Sequence, residues 1–230
     1  RRNTATLPKQ LRPFSSNSFR QSQKPVDTNM RILVACEESQ TVAKAFRELG
    51  HIAYSCDTSE CSGGHPEWHF RGDALLFAYS IPWDMMIAHP PCTFLSISGM
   101  HWTTRGLRDP QLTEDALEFV QKLMNAPIEK ICIENPVSVI SSRIRKPDQI
   151  IQPYMFGHDA SKKTCLWLKG LPPLSPTCKV EPRIVNGKPR WGNQTDSGQN
   201  KLTPSKQRSA ERAKTYEGIA RAMANQWGTL

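Results

Sequence analysis

Cys92 stands behind two prolines in the stretch IAHPPCTFLS at residues 87–96, and Glu134 opens the run ENP at 134–136. Two successive prolines fix two backbone φ angles and remove two amide donors, so the chain at Pro90 and Pro91 is a stiff turn. A cysteine held on such a turn is aimed. A thiolate that adds to an unsaturated ring carbon, helped by an acid that protonates the neighbouring ring nitrogen, converts an aromatic pyrimidine into an enamine. The enamine carbon is nucleophilic enough to take a methyl group from a sulfonium. The acid for this work is a carboxyl whose proton is retained by burial, and a glutamate at the mouth of a central strand fits that description. Taken singly, each string has an ordinary reading: a small buried hydrophobe for Cys92, a strand-ending turn for Glu134-Asn135-Pro136. His89, just before the prolines, reads as a structural histidine packed against the site.

The elements that must position these residues alternate in type. MRILVAC, IAYSCD, WDMMIAH, KICIENP and CLWLKGLPPL read as strands, while TVAKAFRELGH, QLTEDALEFVQKLMNAP and SAERAKTYEGIARAMANQWG read as helices. Strands alternating with helices imply an α/β domain with a mostly parallel sheet covered on both faces, a doubly wound Rossmann-like fold. Ligands then bind past the carboxyl ends of the strands. That places residues 35–40, 56–58, 89–92 and 134–136 together as candidates. PPC and ENP follow successive strands about forty residues apart, with a helix between.

In that order and context the chain resembles the DNA (cytosine-5)-methyltransferases, in the short form found in phages and prophages. The resemblance runs over residues 30–174 and resumes at 215–228. It implies an S-adenosylmethionine-dependent methyltransferase fold in which Cys92 is the nucleophile toward carbon 6 of a flipped cytosine and Glu134 holds ring nitrogen 3 and the amino group. The same likeness assigns Asp57 to the cofactor ribose and Asp73 to the adenine, with Ala35, Cys36, Glu37, Thr58 and Pro90 around them. Lys162 and Lys163 stand where the family has paired arginines for the base and backbone, Lys163 within the catalytic group. The expected activity is transfer of a methyl group to carbon 5 of cytosine in double-stranded DNA. Two departures are visible. The family's glycine-rich first loop is replaced by Cys36-Glu37-Glu38-Ser39-Gln40-Thr41, whose side chains would crowd the cofactor. A full target-recognition domain is also missing between the lysines and the last helix. Its place is taken by a basic loop over residues 175–207, with Arg183, Lys188, Arg190 and Trp191 as groove contacts, and a protein partner is one source of specificity. The alternatives are a catalytically impaired, methyltransferase-like nucleic-acid binder, or the same fold acting on RNA or with a modified donor.

Composition agrees with a nucleic-acid partner. The net charge of +9 is carried by two flanks: residues 1–29 have six Lys/Arg against one acid and residues 179–214 have nine against three, whereas residues 30–178 have fourteen against sixteen. Such flanks favour a polyanion. The first 29 residues read as a disordered basic extension to a single domain over 30–230, also similar in composition to an organellar transit peptide. Seven scattered cysteines and no apolar stretch of membrane-spanning length point to a reduced, cytoplasmic protein of a bacterial or phage-infected cell, without membrane contact. Cys56, Cys61, His65 and His69 have metal-ligand types, but Pro66 and the paired glycines break the helix that would bring the two histidines together, so no metal is expected.

Overall fold

The computed structural model describes residues 29–202 and 214–230. The disordered extension expected over residues 1–29, and the start of the closing helix expected at 209–213, lie outside the described residues save Asn29. Seven strands form one sheet: β1 (Arg31–Ala35), β2 (Ile52–Asp57), β3 (His69–Arg71), β4 (Met85–Ala88), β5 (Lys130–Pro136), β6 (Gln149–Ile151) and β7 (Thr164–Lys169). Their order is β3-β2-β1-β4-β5-β7-β6. The first five are mutually parallel, and β7 inserts antiparallel between β5 and β6. The α/β, doubly wound fold expected from the alternating pattern is the one the chain adopts.

Side chains alternate across the sheet, as strands buried on both faces require. Ile32, Val34, Met85, Ile87 and Cys132 enter one core, and Leu33, Ala35, Met86, Ala88, Ile131 and Ile133 the other. The first core is closed by α1 (Thr41–Glu48) and the final helix α6 (Glu217–Trp227), through Val42, Phe46, Ile219, Met223 and Trp227. The second is closed by α2 (Ala74–Ser80), α4 (Gln111–Met124) and the short α5 (Ile140–Arg143), with Ala78, Leu117, Val120, Leu123 and Ile140 facing inward. Helix α3 (Ile97–Thr104) follows the Cys92 turn and contributes little to either core.

The strand order changes direction between β1 and β4, because the chain winds outward from β1 through β2 and β3 before returning to β4. That switch point leaves a crevice at the carboxyl edge. Residues 175–202 were expected to be one long loop. They carry instead the hairpin β8 (Arg183–Val185) and β9 (Lys188–Arg190), turned by left-handed Asn186 and Gly187, the Asn-Gly pair that most strongly favours a two-residue hairpin turn.

Candidate active site

A cavity of about 880 Å³ lies at the switch point. Cys92 and Glu134 both line it, with His89, Pro90, Pro91 and Asn135 between them. Cys92 is exposed, and its carbonyl accepts the amides of Leu95 (3.1 Å) and Ser96 (2.9 Å), which turn the chain sharply into α3. Pro90 and Pro91 stiffen one side of the cysteine, and the turn fixes the other. Asn135 Nδ2 donates to the Pro90 carbonyl at 2.7 Å, and Val139 N–H donates to Leu95 O at 2.9 Å, so the cysteine's turn is tied to the acid's strand. Glu134 lies within the last three residues of β5, as the reading of KICIENP as a strand expected. β5 continues through Pro136 because β7 pairs with it, Glu134 opposite Leu166 and Asn135 opposite Cys165.

The expectation of a burial-raised carboxyl at Glu134 is corrected. His89 Nδ1 lies 2.6 Å from Glu134 Oε2, with both side chains about nine-tenths buried. Burial alone raises the Glu134 carboxyl, but the hydrogen bond from His89 and the positive charges of His89 and Lys162 outweigh it and hold the carboxyl below its ordinary value. For His89, burial pulls the imidazole down, and the bond and charge of Glu134, with the charge of Glu37, lift it above its ordinary value. His89 is therefore tied to Glu134 by a short buried hydrogen bond, and the pairing favours the charged form of both partners. The folded pair stabilises the protein in full between the ordinary values of 4.5 for the carboxyl and 6.5 for the imidazole. That contribution is lost as pH falls through the depressed Glu134 value or rises through the raised His89 value.

The first loop resolves its lack of glycine in two ways. Cys36 and Gln40 themselves take left-handed backbone, φ 60° and 58°, each at a cost of roughly 1–2 kcal/mol for a residue with a Cβ. The bulky side chains are then drawn into the fold. Gln40, fully buried, bonds Ser55 Oγ and the His65 carbonyl and accepts the His65 amide. Gly63 permits this, since a Cβ there would lie 2.5 Å from the Gln40 amide oxygen. Glu37, also buried, turns its carboxylate onto the start of α1, accepting from Val42 N (2.7 Å) and Ala43 N (3.3 Å). Burial pushes this carboxyl up, against the pull of His89 and those two amides. Since it caps two otherwise unpaired helix amides, Glu37→Ala is expected to lower stability by about 1 kcal/mol. Urea denaturation measures this, and an unchanged midpoint would remove the capping role.

The remaining residues expected to hold a cofactor divide. Cys36, Glu37, Asp57 and Pro90 line the cavity. Asp57 uses Oδ1 to accept the Ser59 amide at 2.8 Å. Ala35 does not line it. Ala35 is fully buried in the core, and its carbonyl accepts the His89 amide. Thr58 is exposed outside the lining, and Asp73 caps α2 through the Leu75 amide at 2.9 Å. The Cys56, Cys61, His65, His69 group has other uses: His65 stacks on Trp68 at 3.7 Å between ring centroids, and His69 bridges Ser55 Oγ and the Ser59 carbonyl. Burial pushes the Cys56 thiol up to about 12. Among the described residues no group of three or more His, Cys, Asp or Glu is arranged to hold a metal ion.

Opposite the acidic wall of Glu37, Glu38 and Asp57, the lining is basic: Lys162, Lys163, Lys201 and Lys214. The 175–202 segment is clamped over this side by residues the sequence did not single out. Ser161 N–H donates to Asn193 Oδ1 and Asn193 Nδ2 donates to Ser161 O, both at 2.9 Å, and Gly192 N–H donates to Asp159. None of Arg183, Lys188, Arg190 and Trp191, expected as groove contacts, lines the cavity. Arg183 pairs with Asp196 and the Gln194 carbonyl, Arg190 bonds the Asp196 carbonyl, and Trp191 stacks on Tyr154 at 4.3 Å. These side chains frame the loop, and of the four Lys188 is left exposed on the hairpin without such a role. A second exposed surface adjoins Cys92. Residues 93–108 contain no acid, and along them Ile97, Trp102 and Leu107 are exposed, as is Arg105.

No family model and no curated protein matches the chain. Among solved structures it is similar to a protein described as a DNA modification methyltransferase encoded within a prophage of E. coli. That likeness has 10% identity and a TM-score of 0.41, covering 61% of this chain and 46% of the other. It is also similar to the S. pombe Dnmt2 methyltransferase, at 14% identity and a TM-score of 0.42, covering 63% and 50%. The chain spans about half the length of these proteins. Among the described residues no helix is long and apolar enough to cross a membrane.

Proposed function

We propose that this chain is an S-adenosylmethionine-dependent methyltransferase acting on carbon 5 of cytosine in double-stranded DNA. Cys92 is its covalent nucleophile, and Glu134 is the group that grips ring nitrogen 3. The observation that carries the reading is the shared cavity: a cysteine on a rigid Pro-Pro turn and a buried carboxylate on the adjacent strand open on one space, joined by the Asn135–Pro90 bond.

The first loop decides whether the acidic wall suits the cofactor. Left-handed Cys36 and Gln40 give it the path that glycines provide elsewhere, and the Gln40 and Glu37 side chains are turned into the fold. The residues fit. Asp57 would hold the ribose hydroxyls, with Cys36 and Pro90 against the same ligand, and the carboxylates favour a cationic sulfonium. The cofactor, when bound, supplies the methyl group. The chain's own residues do the rest. Cys92 sulfur adds to carbon 6, Glu134 holds nitrogen 3, the two prolines and Val137 exclude water from that edge of the base, and Lys162 and Lys163 meet phosphate or base oxygens. Taking a base out of a duplex costs on the order of a few kcal/mol, and the acid-free 93–108 segment with Trp102 is the surface suited to holding the opened strands.

The test incubates the full chain with duplex DNA, or RNA of the same sequence, and isotopically methyl-labelled S-adenosylmethionine, followed by nucleoside mass spectrometry. Label in 5-methylcytosine from DNA supports the proposal. Label only from RNA transfers the reading to that substrate. No label, together with no calorimetric heat from the cofactor, leaves a non-catalytic binder.

A further inference from the structure

We propose that His89 is a positioning residue that carries the proton for Glu134, handing its Nδ1 proton through the Glu134 carboxyl to ring nitrogen 3 as Cys92 sulfur bonds to carbon 6. This rests on the reading of the cavity as a cytosine site and adds a residue and a proton route to it.

The geometry is that of a closed two-station path. His89 Nδ1 and Glu134 Oε2 are 2.6 Å apart, and the two side chains are 10% and 8% exposed. The imidazole is held from both sides, its backbone amide bonded to the Ala35 carbonyl of β1 and its ring bonded to β5. Among the described residues Nε2 is buried without a hydrogen-bond partner, so a mobile proton on this ring has one protein acceptor, Glu134. The charged groups that act on the ring are Glu134, Glu37 behind the first loop, and Lys162 on the β7 side. Two carboxylates against one lysine favour the imidazolium. Glu134, held ionised by this arrangement, is by itself only an acceptor. Addition at carbon 6 sends the ring's electron pair to nitrogen 3, which must then take a proton, and an ionised carboxylate has none to give. His89 supplies it.

The step balances. The thiolate pair forms the S–C6 bond, the C5=C6 π pair moves to between carbons 5 and 4, and the C4=N3 π pair becomes the N3–H bond. The proton comes from Glu134, which takes the Nδ1 proton of the imidazolium and is again a carboxylate. His89 ends neutral. When the S–C6 bond breaks, the proton returns by the same route.

The test needs no methyl donor. Reversible addition of Cys92 lets the carbon-5 hydrogen of cytosine exchange with water, so release of tritium from duplex DNA tritiated at that carbon reports the addition step. His89→Gln, which keeps an amide toward Glu134 but no transferable proton, is expected to slow release roughly 100-fold and to lose the fall in rate that the wild type shows as alkaline pH strips the imidazolium. Its DNA affinity should be unchanged. Nitrogen-15 NMR of the wild-type ring is expected to show an imidazolium at neutral pH, and a reading that does not depend on any variant folding. An unaltered rate and pH profile in His89→Gln, or a neutral ring at pH 7, overturns the relay. If Cys92→Ser exchanges as fast as the wild type, the cytosine reading has failed and the relay with it, an outcome distinct from a Cys92-dependent exchange that ignores His89.

Discussion

With duplex DNA containing 5-fluorocytosine and S-adenosylmethionine, the wild-type chain is expected to form a covalent complex that survives denaturing electrophoresis, and Cys92→Ser none. Fluorine at carbon 5 cannot leave as a proton does, so the sulfur–carbon bond, once made, cannot be released. The exposure of Cys92 at the cavity and the rigidity of the turn behind it are what make the residue available. Serine keeps the size and hydrogen bonding of the side chain but is a far poorer nucleophile at neutral pH. Methyl transfer in this variant should fall by roughly 10⁴-fold or more, the scale seen where a covalent nucleophile is removed. A stable adduct in Cys92→Ser would move the nucleophile elsewhere and dissolve the proposed chemistry.

Glu134→Gln should lower turnover by roughly 10²- to 10⁴-fold with the fold intact. Glutamine fills the same space opposite Leu166 in the sheet and still reaches nitrogen 3, but it neither ionises nor passes a proton. The substitution also removes the partner that lifts His89. Burial then governs the imidazole and carries it below its ordinary value, so at neutral pH the ring turns neutral. A parallel NMR titration of wild type and Glu134→Gln reads this reversal of sign. Unchanged turnover, or an imidazole that titrates as in the wild type, would detach Glu134 from both roles.

The strands with long apolar runs were legible because each is buried on two faces, and runs such as Arg31–Ala35 and Met85–Ala88 carry that signature directly. The site was legible where rigidity and residue type coincide, at Pro90, Pro91, Cys92 and Glu134. What escaped was set by contacts distant in sequence. β3 and β6 are three residues each and exist only through their neighbours. Helix α3 contains Gly99, whose Cβ position is blocked by the Thr93 carbonyl, and shows no apolar face that would mark it. The His89–Glu134 pair joins residues 45 positions apart, and nothing local to either announces it. That Trp191 also stacks on Tyr154 and Arg183 also pairs with Asp196 could be read only from the fold.

Helix α1, which follows the acidic first loop, rests its apolar side on α6 from the far end of the described chain, where Trp227 is fully enclosed and bonded to the Pro172 carbonyl. During synthesis the early helix therefore has only the strands beside it to cover Val42 and Phe46 until α6, made much later, arrives. Such long-range closure slows folding and leaves an adhesive intermediate on the ribosome's side of the process. The core that joins α1 to the sheet is thus completed late, only after translation of α6.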